Sequence, residues 1–329
     1  MRLPDAREEE SGLVREGGIR VWWDNFDTAM LQTFHPSNRD LLVNINGRLV
    51  HRDEAGVSPF DSSVQNGDAV WEGLRLYRGR IFKLTAHLDR LRRSAALLSY
   101  QGFPEESRLV EELRRTLAAN DMTDGVHIRL TVSRGVKYTS GLDPRINTQG
   151  CSFFILAEHK PPVYQKSGIT LATAAVRRPF ANVLDQHIHS CNQLTSILAK
   201  LEATAAGADD ALMLDTEGNL AETNATHVFL VKSGVVLTST TRACPEGITR
   251  AAVLELCRER GQPCEVRDIP EAEIHTADEV FCTGTMGEIV PVTRIDATVY
   301  QEGQPGPVTG AVAGWFAELT RDPACGTAM

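Results

Sequence analysis

The sequence lacks long apolar runs and has little positive charge. No stretch approaches the roughly 20 apolar residues that cross a bilayer, so we predict no contact with a membrane. The N-terminus, MRLPDAREEESG, has no apolar core and does not look like a secretory signal. Lysine and arginine total 34 against 43 aspartates and glutamates, a formal net charge of -9. This balance argues against nucleic acid or an anionic membrane as the main partner.

Paired cysteines are also missing. The seven cysteines include no CxxC pair, show no zinc-ribbon spacing and are odd in number. Reduced cysteines in a cytoplasmic compartment are the simplest interpretation, with an organellar location after removal of a transit peptide left open. His187, His189 and Cys191 would project from one face of a strand, but no further ligand has a recognisable spacing. We therefore predict no metal site.

Strand and helix patterns alternate over the 329 residues, which suffice for two domains with a large core. Asn46-Gly47, between two apolar runs, predicts a β-hairpin. The apolar side chains of a helix predicted over 192–206 share one face: Leu194, Ile197, Leu198 and Leu201. These patterns predict a mixed α/β (α+β) fold. Its predicted parts are an N-terminal arm over 1–40, a smaller α/β domain over 41–160, a linker over 161–168 and a larger α/β domain over 169–329.

Two segments have patterns that suit an anion. GITRAAVLELCRERG places a glycine directly before a helix, so the amides of Ile248 and Thr249 and the Thr249 hydroxyl are able to hold a phosphate. Taken alone, an ordinary helix start with a threonine cap is the favoured interpretation. CTGTMGE places Thr285 and Met286 in a turn rich in hydroxyls and amides, either an anion nest or a plain hairpin loop.

Two charged residues have both a functional and a plain interpretation. HLDRL places Arg90 early on a helix, where it suits bidentate phosphate contact. A solvated basic face shared with Arg92 and Arg93 is the locally favoured alternative. Glu222, in NLAETNATHVF, has a carboxylate that suits a protonated ring nitrogen, whereas local pattern favours a residue at the surface end of a strand. The order and spacing of all these segments carry more information than any one of them.

In that order, the segments resemble the class IV aminotransferases, also called fold-type IV pyridoxal-phosphate enzymes. GDAVWEGLRLYRGRIFKLTAHLDRLRRSA is similar to the opening block, and LMLDTEGNLAETNATHVFLV with PEGITRAAVLEL is similar to the central blocks. ADEVFCTGTMGEIVPVTRID is similar to the closing block, so the resemblance runs from about 41 to about 298. It implies the two-domain architecture of branched-chain and D-amino-acid aminotransferases, with the cofactor in the larger domain. It also implies a homodimer with the active site near the interface.

The resemblance implies a site for pyridoxal phosphate. Arg90, Ile248, Thr249 and Thr285 match the positions that bind the phosphate. Glu222 matches the carboxylate that keeps the pyridine nitrogen protonated, so that the ring withdraws electrons from the reacting carbon. The resemblance also implies an amino acid and a 2-oxo acid as substrates. The positions matched to substrate binding are Arg129, His127, Asn66 and Met286.

The chain departs from the family where the family keeps its cofactor-binding lysine. Counting three residues back from Asn192 in HIHSCNQLTSILAK gives His189 at that position. None of the chain's lysines lies beside it, and Lys200 is some 16 Å further along a helix, at about 1.5 Å per residue. Imidazole cannot form the stable Schiff base that a lysine forms with an aldehyde, but it is able to act as a general base near neutral pH.

The sequence therefore predicts a class IV aminotransferase-like enzyme whose amino transfer is impaired, with pyridoxal phosphate held without a bond to His189. His227, His127 and Asn66 replace the family's usual asparagine and two tyrosines, which weakens the inference of branched-chain substrates. Two alternatives stay open. One is a lyase, isomerase or hydrolase that uses histidine acid-base chemistry on the same scaffold. The other is a non-catalytic protein that binds a metabolite.

Overall fold

Strands and helices alternate along the chain in the computed structural model, which describes residues 34–162 and 164–329. The arm predicted over 1–40 therefore lies mostly outside the described residues. The elements that precede the 161–168 segment are β1 (Leu42–Ile45), β2 (Arg48–His51), α1 (Ser62–Asn66), β3 (Ala69–Tyr77), β4 (Arg80–Phe82), α2 (Leu84–Leu97), α3 (Glu106–Ala119), β5 (Val126–Ser133) and β6 (Ser152–His159).

The elements after that segment are more numerous. They are β7 (Ile169–Thr173), α4 (Leu194–Ala205), β8 (Asp210–Leu214), β9 (Leu220–Thr223), β10 (His227–Lys232), β11 (Val235–Thr238), α5 (Ile248–Glu259), β12 (Cys264–Val266), α6 (Glu271–Ile274), β13 (Glu279–Gly284), β14 (Glu288–Ile295), β15 (Thr298–Val299), α7 (Pro307–Leu319) and β16 (Gly326–Ala328). Short 3₁₀ turns connect several of them. The predicted mixture of helices and strands is confirmed.

The first sheet is antiparallel, with seven strands in the order β16-β4-β3-β5-β6-β1-β2. The predicted hairpin is confirmed, because Asn46 and Gly47 have φ of 53° and 86° and join β1 to β2 with Ile45 opposite Arg48. Helices α2 and α3 pack against this sheet. The last strand, β16, pairs with β4 at the edge of this sheet. The apolar pattern did not predict that the end of the chain returns to the first sheet.

The second sheet has nine strands and is mixed. Its main path runs β12-β11-β10-β13-β14-β7-β8-β9, and β15 pairs with β14 outside that path. Strand β7 lies parallel to both β14 and β8, whereas β13 is antiparallel to both β10 and β14. Helices α5 and α7 pack against β13, and α4 packs against β7 and β8.

The two sheets are joined by packing as well as by the chain. Phe82, from the first sheet, lies in one buried cluster with Phe229, Phe281 and Phe316 of the second half. Its ring meets that of Phe316 edge to face at 5.6 Å. Burying aromatic rings across the junction removes a large apolar area from water. This packing therefore holds the two sheets at a defined separation.

Helix α4 is confirmed where the sequence predicted a helix, but its apolar face points outward. Leu194, Ile197, Leu198 and Leu201 are between 42% and 66% exposed, whereas the side that packs on β7 and β8 is formed by small residues such as Ala199 and Ala203. Four large apolar side chains on one exposed helix face form a patch that a monomer rarely displays.

Within residues 34–162 and 164–329, no helix combines the length and the apolar character that crossing a membrane requires.

Candidate active site

A cavity of about 280 Å³ lies between the two sheets. Of the ten residues that the sequence assigned to the site, nine line it: Arg90, His127, Arg129, His189, Glu222, Ile248, Thr249, Thr285 and Met286. The tenth, Asn66, ends helix α1 and accepts a hydrogen bond from Lys137 instead. Residues from β3, α2 and β5 face residues from β9, α5 and the turn after β13 across this space.

Arg90 is buried, with 6% of its surface exposed, so the interpretation of a solvated basic face is wrong for this residue. Its Nε and Nη2 donate to the two carboxylate oxygens of Glu72 at 2.8 and 2.7 Å. Its Nη1 donates to the carbonyl of Glu246 at 2.7 Å. Arg92 and Arg93, by contrast, are exposed and form the basic face that the local pattern described. Arg90 is thereby fixed in one orientation at the cavity wall.

Glu72 was missed by the sequence reasoning, although it holds Arg90 in place behind the cavity wall. It is fully buried on β3 and also receives a hydrogen bond from Nδ1 of His87 at 2.7 Å. Burial alone would raise its pKa, but the charge of Arg90 and hydrogen bonding from histidines hold the pKa well below the ordinary value. A signal was present, because Glu72 shares a strand face with the apolar Val70 and Leu74. A carboxylate there is buried and needs a partner.

The N-terminus of α5 opens on the cavity without a side-chain cap. Its N-cap is Gly247, and Ile248 and Thr249 are the first two helical residues, so the threonine-cap interpretation is wrong. The first amides of a helix have no partner within the helix, which leaves them free to bind an anion. A β-carbon at Gly247 would overlap the imidazole of His227. Glycine is therefore required here by close packing.

Glu222 is 5% exposed on β9, so the interpretation of a surface residue is wrong. One carboxylate oxygen lies 3.0 Å from Nη2 of Arg178, and the other lies 4.0 Å from Nδ1 of His227. Burial raises the pKa of Glu222 to about 7, against the opposing charges of Arg178 and Arg90. Near neutral pH this carboxyl group therefore exchanges a proton readily.

Two polar atoms at the cavity are buried without a partner. They are Nδ1 of His227 and Oγ1 of Thr283. Burial, together with the charges of Arg250 and Arg90, lowers the pKa of His227 to about 3, so its ring is neutral. Buried polar groups are almost always hydrogen-bonded. A polar ligand in the cavity would supply the missing partners.

His189 is held by contacts with β3 and α2. Its backbone carbonyl accepts from the amide of Trp71 at 3.0 Å, and its own amide donates to Oγ of Ser94 at 3.1 Å. The imidazole stacks on the Trp71 indole, with ring centroids 4.5 Å apart. Its Nδ1 lies 2.5 Å from the Trp71 carbonyl oxygen. The position matched to the family's lysine is therefore a rigid one.

The hydrogen bond to Trp71 fixes which nitrogen of His189 carries a proton. A carbonyl oxygen only accepts, so Nδ1 must donate. Burial and the charge of Arg90 lower the pKa of His189, despite the opposing effect of Glu72, whose nearest oxygen is 3.6 Å away. The ring is therefore neutral at physiological pH and keeps a lone pair on Nε2. His187 and Cys191 do not join it in one cluster, since His187 pairs with Asp185 and Cys191 contacts Arg129.

Part of the cavity lining is basic, because it includes Arg129 and Lys160. Arg129 lies over the Trp71 ring, with its guanidinium carbon 3.9 Å from the ring centroid. Burial, followed by the charge of Lys160 and of neighbouring arginines, lowers the pKa of His127 to about 3. Sequence reasoning missed Lys160 and Tyr164, which also line the cavity. Lys160 directly follows β6, and Tyr164 lies in the segment predicted as a linker.

The site combines a cleft between two sheets, an uncapped helix start, a buried arginine and a buried carboxylate. These features are typical of a protein that binds a small phosphorylated ligand. The family model Amino-transferase class IV matches residues 69–295, and the chain belongs to this family. Among similar curated proteins, branched-chain-amino-acid aminotransferase-like protein 2 of Arabidopsis thaliana is 49% identical over 286 residues, covering 87% of this chain and 51% of that protein. The chain thus spans about half the length of the Arabidopsis relatives.

Other relatives match over nearly their whole length. A putative branched-chain-amino-acid aminotransferase of Methanocaldococcus jannaschii is 37% identical over 278 residues, covering 84% of this chain and 96% of that protein. Among solved structures, the branched-chain amino acid aminotransferase from Thermobaculum terrenum in its PLP-form has a TM-score of 0.79 at 28% identity. The match covers 88% of this chain and 98% of that one. The predicted fold-type IV architecture is confirmed.

Proposed function

We propose that the chain binds pyridoxal phosphate in the cavity, without a bond at position 189, and transfers amino groups between an amino acid and a 2-oxo acid at a reduced rate. A branched-chain amino acid is the first donor to test, because several similar proteins carry that name. One observation supports the proposal above the others. Arg90, the start of α5, Glu222 and His189 line a single cavity.

The residues of the cavity fit the cofactor group by group. Arg90, the first amides of α5 and the hydroxyls of Thr249 and Thr285 suit a phosphate, as cation, dipole and hydrogen-bond donors. Glu222 suits a protonated pyridine nitrogen, because a cation beside it would remove the cost of ionising a buried carboxyl group. When bound, pyridoxal phosphate supplies an aldehyde that condenses with an amine and a ring that withdraws electrons.

His189 is suited to move the proton that amino transfer requires. Its neutral Nε2 is able to accept a proton from the substrate carbon and return it, which is general acid-base catalysis worth about 10²- to 10⁴-fold. It cannot supply the amine with which the family's lysine forms a Schiff base. We therefore expect slow exchange of substrate and product.

The first experiment is a spectral titration of the purified protein with pyridoxal phosphate, followed by an assay of amino transfer with leucine and a 2-oxo acid. We expect saturable binding and weak activity in the wild type, and at least about a 10²-fold rise in rate in His189→Lys. His187→Lys is the matched control, since it adds the same side chain two residues away, beside Asp185. Absence of saturable binding by the wild type would refute the proposal.

A second candidate is proton-transfer chemistry without a covalent cofactor, as in a lyase, isomerase or hydrolase. It is favoured by three histidines, His127, His189 and His227, that line the same cavity. The His189→Lys variant separates the two candidates. A rise in amino transfer supports the first, whereas binding of neither cofactor nor phosphate, with no gain in His189→Lys, favours the second.

The assembly is part of the proposal, with a second copy of the chain as partner. The apolar face of α4 is exposed, and so are Val183 and Leu184 in the segment that leads to His189. A homodimer that covers this face would remove a large apolar patch from water. It would also place the interface close to the cavity, as the resemblance implies for the family.

A further inference from the structure

The imidazole of His189 offers the cavity a hydrogen-bond acceptor and no donor. Its Nδ1 lies 2.5 Å from the carbonyl oxygen of Trp71, so the proton is on Nδ1 and the lone pair is on Nε2. Within the described part of the chain, Nε2 makes no hydrogen bond, and it is not among the unpartnered polar atoms that are closed to solvent. The edge of the ring that a ligand in the cavity meets is therefore an acceptor.

The two ring nitrogens do not exchange these roles at low cost. Moving the proton to Nε2 would leave the lone pairs of Nδ1 and of the Trp71 carbonyl facing each other at 2.5 Å. Burial and the charge of Arg90 lower the pKa of His189 despite Glu72, which opposes the gain of a second proton. Stacking on Trp71 and the bond from the backbone amide to Ser94 hold the ring in place. The acceptor is thus a fixed property of the site.

His189 lies next to the residue that is suited to the phosphate. Oε1 of Glu72 accepts from Nε of Arg90 at 2.8 Å and lies 3.6 Å from Nδ1 of His189. Arg90 and His189 therefore flank one buried carboxylate, and both line the cavity. In pyridoxal phosphate the reactive substituent is on the ring carbon next to the one that carries the phosphate arm. With the ring nitrogen at Glu222, as proposed, a phosphate at Arg90 would bring that substituent to the side of His189.

The aldehyde and the amine forms of this cofactor present different groups to Nε2. An aldehyde oxygen only accepts, so its lone pairs would oppose that of Nε2, and an acceptor would stay unpaired in the closed cavity. An amine donates, and when protonated it forms a charge-assisted hydrogen bond. A lysine would cancel the disadvantage of the aldehyde by bonding to it, whereas a histidine does not. The residue at position 189 therefore bears on which form is bound.

We infer that the cavity selects the amine form, pyridoxamine 5'-phosphate, over the aldehyde form through Nε2 of His189, an inference that rests on the proposed function. The amine form is then the resting form, and a 2-oxo acid is the first substrate. One water leaves as the amine nitrogen joins the oxo carbon. His189 moves one proton from the cofactor carbon to the substrate carbon, and one water returns to release the amino acid and the aldehyde form. Atoms and charge balance without a further reactant.

The test compares three ligands that share the ring and the phosphate and differ in one substituent: pyridoxamine 5'-phosphate, pyridoxine 5'-phosphate and pyridoxal phosphate. Calorimetric titration of the full chain gives the affinity for the amine. Displacement of the bound amine gives the other two affinities, so that aldehyde reacting with surface lysines is not counted. We expect the amine to bind at least about tenfold more tightly than the aldehyde, the effect of one hydrogen bond to a charged group, with the alcohol between them.

Two matched variants locate the preference. His189→Leu removes the acceptor and should abolish the preference for the amine. His187→Leu changes a ring that pairs with Asp185 instead, and it should keep the preference.

Each outcome decides the inference. Equal affinities in the wild type, or tightest binding of the aldehyde, would overturn it and leave the proposed function intact. A preference for the amine that survives in His189→Leu would also overturn it, because another group would then make the choice. Binding of none of the three ligands would refute the proposed function itself. If His189→Leu fails to fold, the order of the three affinities in the wild type still gives the answer.

Discussion

At the scale of single residues, buried histidines give the site an acid-sensitive character. Burial is the largest cause that lowers the pKa of His127 and His227 to about 3, from an ordinary value of 6.5. Between about pH 6.5 and pH 3 these two imidazoles therefore bind protons in the unfolded chain but not in the folded chain. Their contribution to stability is complete above pH 6.5 and is lost as the pH falls from 6.5 towards 3.

His227→Asn tests this dependence, because asparagine keeps a polar group in the space beside Gly247 and does not titrate. Between about pH 7 and pH 5 the free energy of unfolding of the wild type should fall by about 2 kcal/mol relative to the variant. Urea unfolding at both pH values measures the difference. A pH-independent gap between the wild type and His227→Asn would contradict the prediction.

At the scale of one element, the start of α5 has two functions that compete for space. It presents unpaired amides to the cavity, and it must also leave room for the ring of His227. Gly247 meets both needs, since a capping side chain would occupy the amides and any β-carbon would overlap the imidazole. The helix therefore lacks a side-chain cap, and its first amides remain available to a ligand in the cavity.

Gly247→Ala should destabilise the fold by about 1 to 3 kcal/mol through overpacking against His227, and it should weaken binding of inorganic phosphate. Adding His227→Ala should restore much of the lost stability, because it removes the ring that the new methyl group meets. Thermal unfolding and phosphate titration of the single and double variants measure both effects. Gly310→Ala, at an open position of α7, is the control and should be neutral or stabilising. Equal losses in the single and double variants would contradict the proposed clash.

At the scale of the whole molecule, the exposed face of α4 bears on the assembly. If the proposed homodimer forms through this face, Leu198→Glu should convert it to a monomer and weaken binding of the proposed cofactor, because the change places a charge in the apolar face. Light scattering coupled to size exclusion gives the mass directly. Val299→Glu is the control, since Val299 is similarly exposed but lies on β15. A wild type that is monomeric at micromolar concentration would contradict the prediction.

Sequence patterns predicted the local parts of this molecule well. Hairpins, helices and the family's ordered blocks depend on nearby residues. At Arg90, Glu222 and Thr249 the local pattern alone favoured the wrong interpretation, and the order of the blocks assigned these residues to the site. Pairings over long sequence distances were missed. Glu72 meets Arg90 only because β3 and α2 pack together, and Lys160 reaches the cavity only because β6 ends at its wall. Apolar periodicity identifies the apolar face of an element and does not show what packs against it, as the exposed apolar face of α4 illustrates.

Trp71 makes contacts that give the protein an optical reporter of its own. Its indole lies against the imidazole of His189 and the guanidinium of Arg129, and it forms part of the cavity lining. Any molecule that enters there changes the polarity around this indole. The chain has four tryptophans, and the part of their ultraviolet emission that comes from Trp71 should shift as the cavity fills. The difference between the wild type and Trp71→Phe isolates that part, so that occupancy is readable in unlabelled protein and in real time.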